Sequence, residues 1–114
     1  MVSLELYNKA YDYHEEICKI IDVLIEQGEQ ALAKGLYQAI DRAIPALEST
    51  ELIETAEVAV SQLLDAKILL QQTRWSFGKL VEKGYLDDVA RDRLTAQCNE
   101  LVDLIQQTID NAKS

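Results

Sequence analysis

The stretch LIETAEVAVSQLLDAKILLQQTRWSFGKL, residues 52–80, decides how the chain folds. Leu52, Ala56, Ala59, Leu63, Ala66, Leu70, Thr73, Phe77 and Leu80 recur in alternating steps of four and three over four heptads. That register belongs to a helix whose seam packs into a bundle. With Leu70 and Phe77 at heptad position a, and Thr73 and Leu80 at d, the sole tryptophan, Trp75, falls at position f and points away from the seam. Val60, Leu64 and Ile68 drift round the helix onto the same outer side. A helix that is apolar on two faces is usually buried on both. A single four-helix bundle covers only one of them, so Val60, Leu64, Ile68 and Trp75 are expected to meet a partner, most simply another copy of the chain. Trp75 beside Arg74 is also the residue pairing enriched at binding hot spots. The competing reading folds the Trp75 ring over Gly78 and along the edge of a neighbouring helix.

Outward from this segment, helical periodicity continues in both directions. Before it, two stripes run from Leu4: one through Leu4, Tyr7, Tyr11, His14, Cys18, Ile21 and Ile25, the other through Leu6, Ala10, Tyr13, Ile17, Ile20 and Leu24. Gly28 closes this first helix. A second helix from about Gln30 turns Leu32, Leu36, Ile40, Ala43 and Leu47 inward, with a kink expected near Asp41 to Pro45 because proline removes a hydrogen bond and crowds the preceding turn. The segment LEST, 47–50, reads as a break, with Ser49 or Thr50 capping the third helix and Glu51 and Glu54 near its positive end. Gly84 in EKGYLDD, 82–88, ends the third helix. Asp87 caps a fourth that carries Ala90, Leu94, Cys98, Leu101, Ile105 and Ile109 inward. The fold class is therefore all-α: an antiparallel up-down-up-down four-helix bundle with a long third helix, one domain over residues 1–114. A third helix over 51–83 would run about 50 Å against about 36 Å for the first, so it is either broken or projects beyond its neighbours.

Composition supports one packed helical domain. Of 114 residues, 48% are hydrophobic and 27% charged, with four glycines and one proline, which excludes a disordered chain and disfavours a turn-rich one. No apolar run is long enough to cross a membrane, and MVSLELYNK lacks the segments of a signal peptide, so a cytoplasmic location is expected. Net charge is −9, and residues 1–65 hold all of the excess: 4 basic and 13 acidic residues, against 7 of each in 66–114. An acidic chain repels phosphate backbones on average.

Four pieces in order carry a family resemblance: YNKAYDYHEEICKII (7–21), GLYQAIDRA (35–43), the proline soon after it (Pro45), and GYLDD (84–88). Together they resemble the bacterial four-helix-bundle proteins encoded in ribosomal-RNA intervening sequences and, in fold, the related accessory variability determinant proteins of diversity-generating retroelements. The resemblance spans roughly residues 6–109. It implies a four-helix bundle that assembles into a ring-like homo-oligomer, commonly a pentamer. For the retroelement branch it also implies a basic surface that binds nucleic acid and a reverse transcriptase. The sequence departs from the family where its Arg-Arg pair becomes Asp41-Arg42, where Asn-Ile-Ala-Glu-Gly after the proline is missing, and in its acidic charge. Oligomerisation carries over better than nucleic-acid binding.

Candidate chemistry is sparse. His14 with Glu15 and Glu16 falls short of a di-iron site, which needs Glu-x-x-His on two helices, so His14 reads as a hydrogen-bonded core or interface residue. Cys18 and Cys98 stand eighty positions apart without zinc-site spacing and read as small buried hydrophobes. Asp12, Glu15, Glu16, Asp22, Glu26 and Glu29 form an acidic strip on the first helix, a solvated face or a docking surface for a basic partner. Lys67, Arg74, Lys79 and Lys83 form the basic cluster near Trp75, the place where single-stranded nucleic acid would stack and be neutralised. No phosphate loop, nucleophile elbow or Cys/His pair at helical spacing is expected, and neither are catalytic residues, a metal or a cofactor. Three roles are in play: a non-enzymatic homo-oligomeric interaction or scaffold subunit, an accessory nucleic-acid-binding subunit of a reverse transcriptase, and an acidic inhibitor or antitoxin that binds a basic partner.

Overall fold

The computed structural model describes residues 2–52 and 55–113, with the side chain of Leu52 excepted. Five helices follow in order: α1 (Leu4–Glu26), α2 (Gln30–Ser49), α3 (Ala56–Trp75), the short α4 (Phe77–Glu82) and α5 (Asp88–Lys113), with a 3-10 turn over Thr50–Leu52. α3 and α4 together fill one position of an antiparallel four-helix bundle. Neighbours run α1–α2–α3–α5 and back to α1, and across the α1–α3 diagonal the helices meet through side chains, as at Tyr13 and Thr73.

The glycine stops form as their positions predict, and for a local reason. Gly28 (φ 77°) and Gly84 (φ 83°) both adopt the left-handed backbone that a side chain disfavours. At each, the glycine N–H bonds back three residues and the next N–H bonds back five: Gly28 to Ile25 and Glu29 to Leu24, then Gly84 to Val81 and Tyr85 to Leu80. These are Schellman closures, which satisfy carbonyls that the helix end would otherwise leave bare. Asp87 caps α5, its Oδ1 accepting the Ala90 N–H at 2.7 Å.

The start of the third helix differs from expectation. Ser49 and Thr50 do not cap it; their hydroxyls donate backwards to the carbonyls of Ala46 (2.9 Å) and Leu47 (2.7 Å), and so finish α2. α3 begins only at Ala56, after Thr55. Glu54, expected in its first turn, and the seam side chain of Leu52 lie outside the described residues. Ala56 itself is exposed, so the seam opens at Ala59. Pro45 is accommodated within α2, which runs on to Ser49. It sits on the exposed side beside exposed Asp41, whose carbonyl would have accepted the missing N–H bond.

The length mismatch resolves by interruption. Ser76 keeps helical dihedrals, but its N–H reaches only Thr73, three residues back, at 3.2 Å. α4 resumes at once, and the seam passes through the defect without a change of face: Thr73, Phe77 and Leu80 are all buried. From 56 to 82 the pair spans about 40 Å, close to the about 39 Å of α5, so nothing projects.

On α1 the bundle takes the second of the two stripes, with Leu6, Ala10, Tyr13, Ile17 and Leu24 buried, joined by Ile21. The first stripe lies about 100° further round, on the rim where α1 meets α2. Tyr7 donates there to the Leu47 carbonyl (3.3 Å) and Tyr11 to Glu48 (3.3 Å), while Leu4 and Ile25 are exposed. Residues with an apolar body and a polar tip suit such a boundary.

Candidate interaction surfaces

The outer face of α3 is built by helical geometry alone. At 100° per residue, Leu64 and Trp75 share one azimuth to within about 20°, with Ile68 between them. Ser61, Gln71 and Gln72 fill the remaining positions of that arc, so between Glu57 and Lys79 it carries no charge. Leu64 is 39%, Ile68 49% and Trp75 71% exposed, while Val60 at the edge is partly covered by the bundle. A Cβ placed on Gly78 would meet no atom within 4 Å, so the Trp75 ring does not lie over that glycine. The ring stands in solvent.

On the α2 side of this stripe lies an open groove lined by Asp41, Arg42, Pro45 and Ala46 from α2 and by Asp65, Ile68 and Leu69 from α3. A second apolar area lies on the α1–α2 rim, where Ile25 and Tyr37, both more than half exposed, flank a cleft with Ile21, Ala33 and Lys34. Of the first α1 stripe, Ile21 and Ile25 line this cleft, while Leu4 and Tyr11 lie exposed further along α1. Nothing in the local sequence separates an inward stripe from a rim stripe one step round the helix.

The basic residues do not converge. Lys67 and Arg74 lie on the edge of α3 that faces α5, where Lys67 donates to Gln106 Oε1 (2.8 Å) and Arg74 to Asn99 Oδ1. Lys79 pairs with Glu82 (3.8 Å). Lys83 reaches across the bundle end to Glu29 (3.2 Å), which also accepts from Tyr85. Of the acidic strip on α1, Glu15 and Glu16 lie near Lys19 (3.9 and 4.0 Å) and Glu16 also pairs with Arg93 (3.5 Å). Asp12, Asp22 and Glu26 are exposed.

The two cysteines differ from each other. Cys98 is fully buried and donates its thiol to the Leu70 carbonyl (3.3 Å), as a core residue would. Cys18 is only half-buried, and its sulfur lies 3.7 and 3.8 Å from the two ring nitrogens of His14, one helical turn earlier. Partial burial pushes the Cys18 thiol pKa up, and the carboxylates of Asp22 and Asp41 add to the shift. The expectation of no Cys/His pair at helical spacing is thereby corrected: His14 and Cys18 stand four apart, and α1 brings them together. Among the described residues no cluster of three His, Cys, Asp or Glu side chains is assembled to hold a metal ion, and no helix is long and apolar enough to cross a membrane.

The molecule thus belongs to the class of all-α, antiparallel four-helix bundles, with an uncharged apolar stripe on the outside of its third position. It is similar to a solved protein of unknown function from the S23 ribosomal protein family of Bacteroides thetaiotaomicron, with a TM-score of 0.83 at 12% identity, covering 91% of this chain and 97% of that one. At that identity the likeness is one of fold. The sequence matches no protein-family model and no curated protein.

Proposed function

We propose that the protein is a non-enzymatic, self-associating scaffold or interaction subunit, whose copies meet through the outer face of α3. The observation that carries this reading is the uncharged stripe of Leu64, Ile68 and Trp75 standing in solvent with Val60 at its edge. Large apolar side chains grouped on one face gain by leaving water, at about 25 cal/mol for each Å² removed. The exposed rim of α1 and α2, with Ile25 and Tyr37, is a separate patch, so one two-fold contact through α3 leaves it uncovered. A head-to-tail contact, with the α3 stripe of one copy on the α1–α2 rim of the next, covers both, and such contacts close into rings. The resemblance to ring-forming intervening-sequence proteins points the same way.

Light scattering coupled to size-exclusion chromatography tests the reading. The native chain is expected to elute as an oligomer larger than a dimer, and Leu64→Glu with Trp75→Ser as a monomer with unchanged helical circular dichroism. A dimer would remove the head-to-tail arrangement but keep the α3 contact. Monomers for both proteins would remove the proposal itself. Because every copy carries −9, added salt is expected to strengthen assembly by screening repulsion. Nucleic-acid binding weakens with salt instead, and the dispersal of Lys67, Arg74, Lys79 and Lys83 among protein partners gives that reading no added support.

A further inference from the structure

Resting on the head-to-tail association proposed above, we infer that the contact is keyed by charge: Trp75 of one copy seats beside Tyr37 in the α1–α2 cleft of the next, while Lys67 and Arg74 pair with Glu15 and Asp22 of that copy. The cleft suits an indole. Its walls include Ile21, Ile25 and Tyr37, and Lys34 in the same lining offers a cation to the ring face. The outer face of α3 and the rim lie on different sides of one bundle, so no chain can set its own Trp75 in its own cleft. Height along the bundle brings the two surfaces level. Lys83 meets Glu29 at the bundle end (3.2 Å), and from that crossing Trp75 lies eight residues down α4 and α3, as Tyr37 lies eight residues down α2. At 1.5 Å per residue both stand about 12 Å from the end. Copies joined at equal height are related by rotation with little translation, the condition for a ring rather than a filament.

The helix order sets which charges meet. Because neighbours run α1–α2–α3–α5, laying α3 with parallel axis against the α1–α2 edge of the next copy turns its α5-facing edge toward that copy's α1, whichever way round the order runs. Lys67 and Arg74 stand on that edge, seven residues apart. Their hydrogen bonds go to the neutral amides of Gln106 and Asn99, which leave the positive charges uncompensated. On α1, Glu15 and Asp22 are likewise seven apart. They stand about 60° and about 40° round the helix from Cys18, on the side away from α2. Both are exposed. Glu15 has only a loose contact with Lys19 (3.9 Å), worth little at a surface, and no cation pairs with Asp22 among the described residues. Counted from the Lys83–Glu29 crossing, Arg74 and Asp22 differ in height by two residues, and Lys67 and Glu15 by the same two. One shift of about 3 Å therefore aligns both pairs. Matched charges fix the register and disfavour wrong partners. The pairs close at contact distance, where salt screens them less than it screens the long-range repulsion between copies of charge −9.

Charge exchange in the full chain tests the pairing, read by light scattering coupled to size-exclusion chromatography across a dilution series, with helical circular dichroism establishing that every variant folds. Lys67→Glu with Arg74→Glu, and separately Glu15→Lys with Asp22→Lys, are each expected to raise the concentration of half-assembly by at least about tenfold. All four substitutions in one chain return the native net charge and re-match the surfaces, so assembly is expected to recover to within about threefold of native. Tyr37→Glu is expected to weaken it as far as Trp75→Ser does. A monomeric native chain overturns self-association and this contact with it. A native oligomer that keeps its affinity in either double variant, or that the fourfold exchange fails to restore, overturns the charge pairing alone. An unchanged affinity in Tyr37→Glu overturns the seat of Trp75.

Discussion

Two residues apart in sequence, Trp75 is 71% and Phe77 2% exposed, because two residues on a helix turn the side chain through about 200°. Phe77 continues the seam of Leu63, Ala66, Leu70 and Thr73 and fills space between helices, so its truncation leaves a void. Phe77→Ala is expected to lower the stability of the single chain by about 3 to 5 kcal/mol. Trp75 touches little of its own chain, and Trp75→Ser is expected to change stability by less than about 0.5 kcal/mol. Urea melts at a dilution where the chain is monomeric measure both. A large loss in Trp75→Ser would place the tryptophan in the fold rather than on a docking face. The heptad register sufficed to separate these two residues, since position within a helix is a local property.

At the scale of the elements, ends with a backbone signature were readable and ends without one were not. Gly28, Gly84 and Asp87 each fix a hydrogen-bond pattern within five residues, so their positions fixed helix boundaries in advance. Ser49 and Thr50 were ambiguous, because a hydroxyl accepts at a helix start and donates to carbonyls at a helix end; here both donate. The choice between the two stripes of α1 was equally open. Both keep helical period, and which one is buried depends on where α2 and α5 stand, a long-range fact. The candidate surface divides in the same way: the α3 stripe follows from spacing within one helix, whereas the α1–α2 rim and the placing of Lys67, Arg74 and Lys83 depend on partners 25 or more positions away, such as Asn99 for Arg74. The helix-end argument has a sharp test in two glycines six residues apart. Gly84→Ala, at φ 83°, is expected to cost about 1 to 2 kcal/mol. Gly78→Ala lies inside α4 with open space around a new Cβ, and is expected to gain about 0.5 to 1 kcal/mol. Thermal melts that shifted both in one direction would refute the assignment of Gly84 as a left-handed stop.

Across the whole molecule, a buried polar knot joins three helices inside a core that, among the described residues, is otherwise apolar but for Thr50. Tyr13 of α1 donates to Thr73 Oγ1 on α3 (2.6 Å), Thr73 donates to the Leu70 carbonyl (2.6 Å), and Cys98 of α5 donates to that same carbonyl. In this enclosed setting the proton is held firmly. Burial pushes the Tyr13 hydroxyl well above its ordinary 10.0 and the Cys98 thiol above its ordinary 9.0. In the unfolded chain both groups titrate near their ordinary values, so above pH 9 to 10 the unfolded state releases protons that the folded state retains. The stability tied to these groups is fully present below that range and is lost as pH rises through it, by up to about 1.4 kcal/mol per pH unit for each group. Urea midpoints measured from pH 7 to 11 are therefore expected to hold level and then fall. Tyr13→Phe keeps the ring and removes the titrating hydroxyl, so its midpoint is expected to be somewhat lower at pH 7 and to fall less steeply above pH 10. An alkaline slope identical in native chain and variant would mean that the knot does not hold its proton in the fold, and that the loss belongs instead to Tyr7 and Tyr11, whose hydroxyl pKa values are also raised by burial and nearby glutamates.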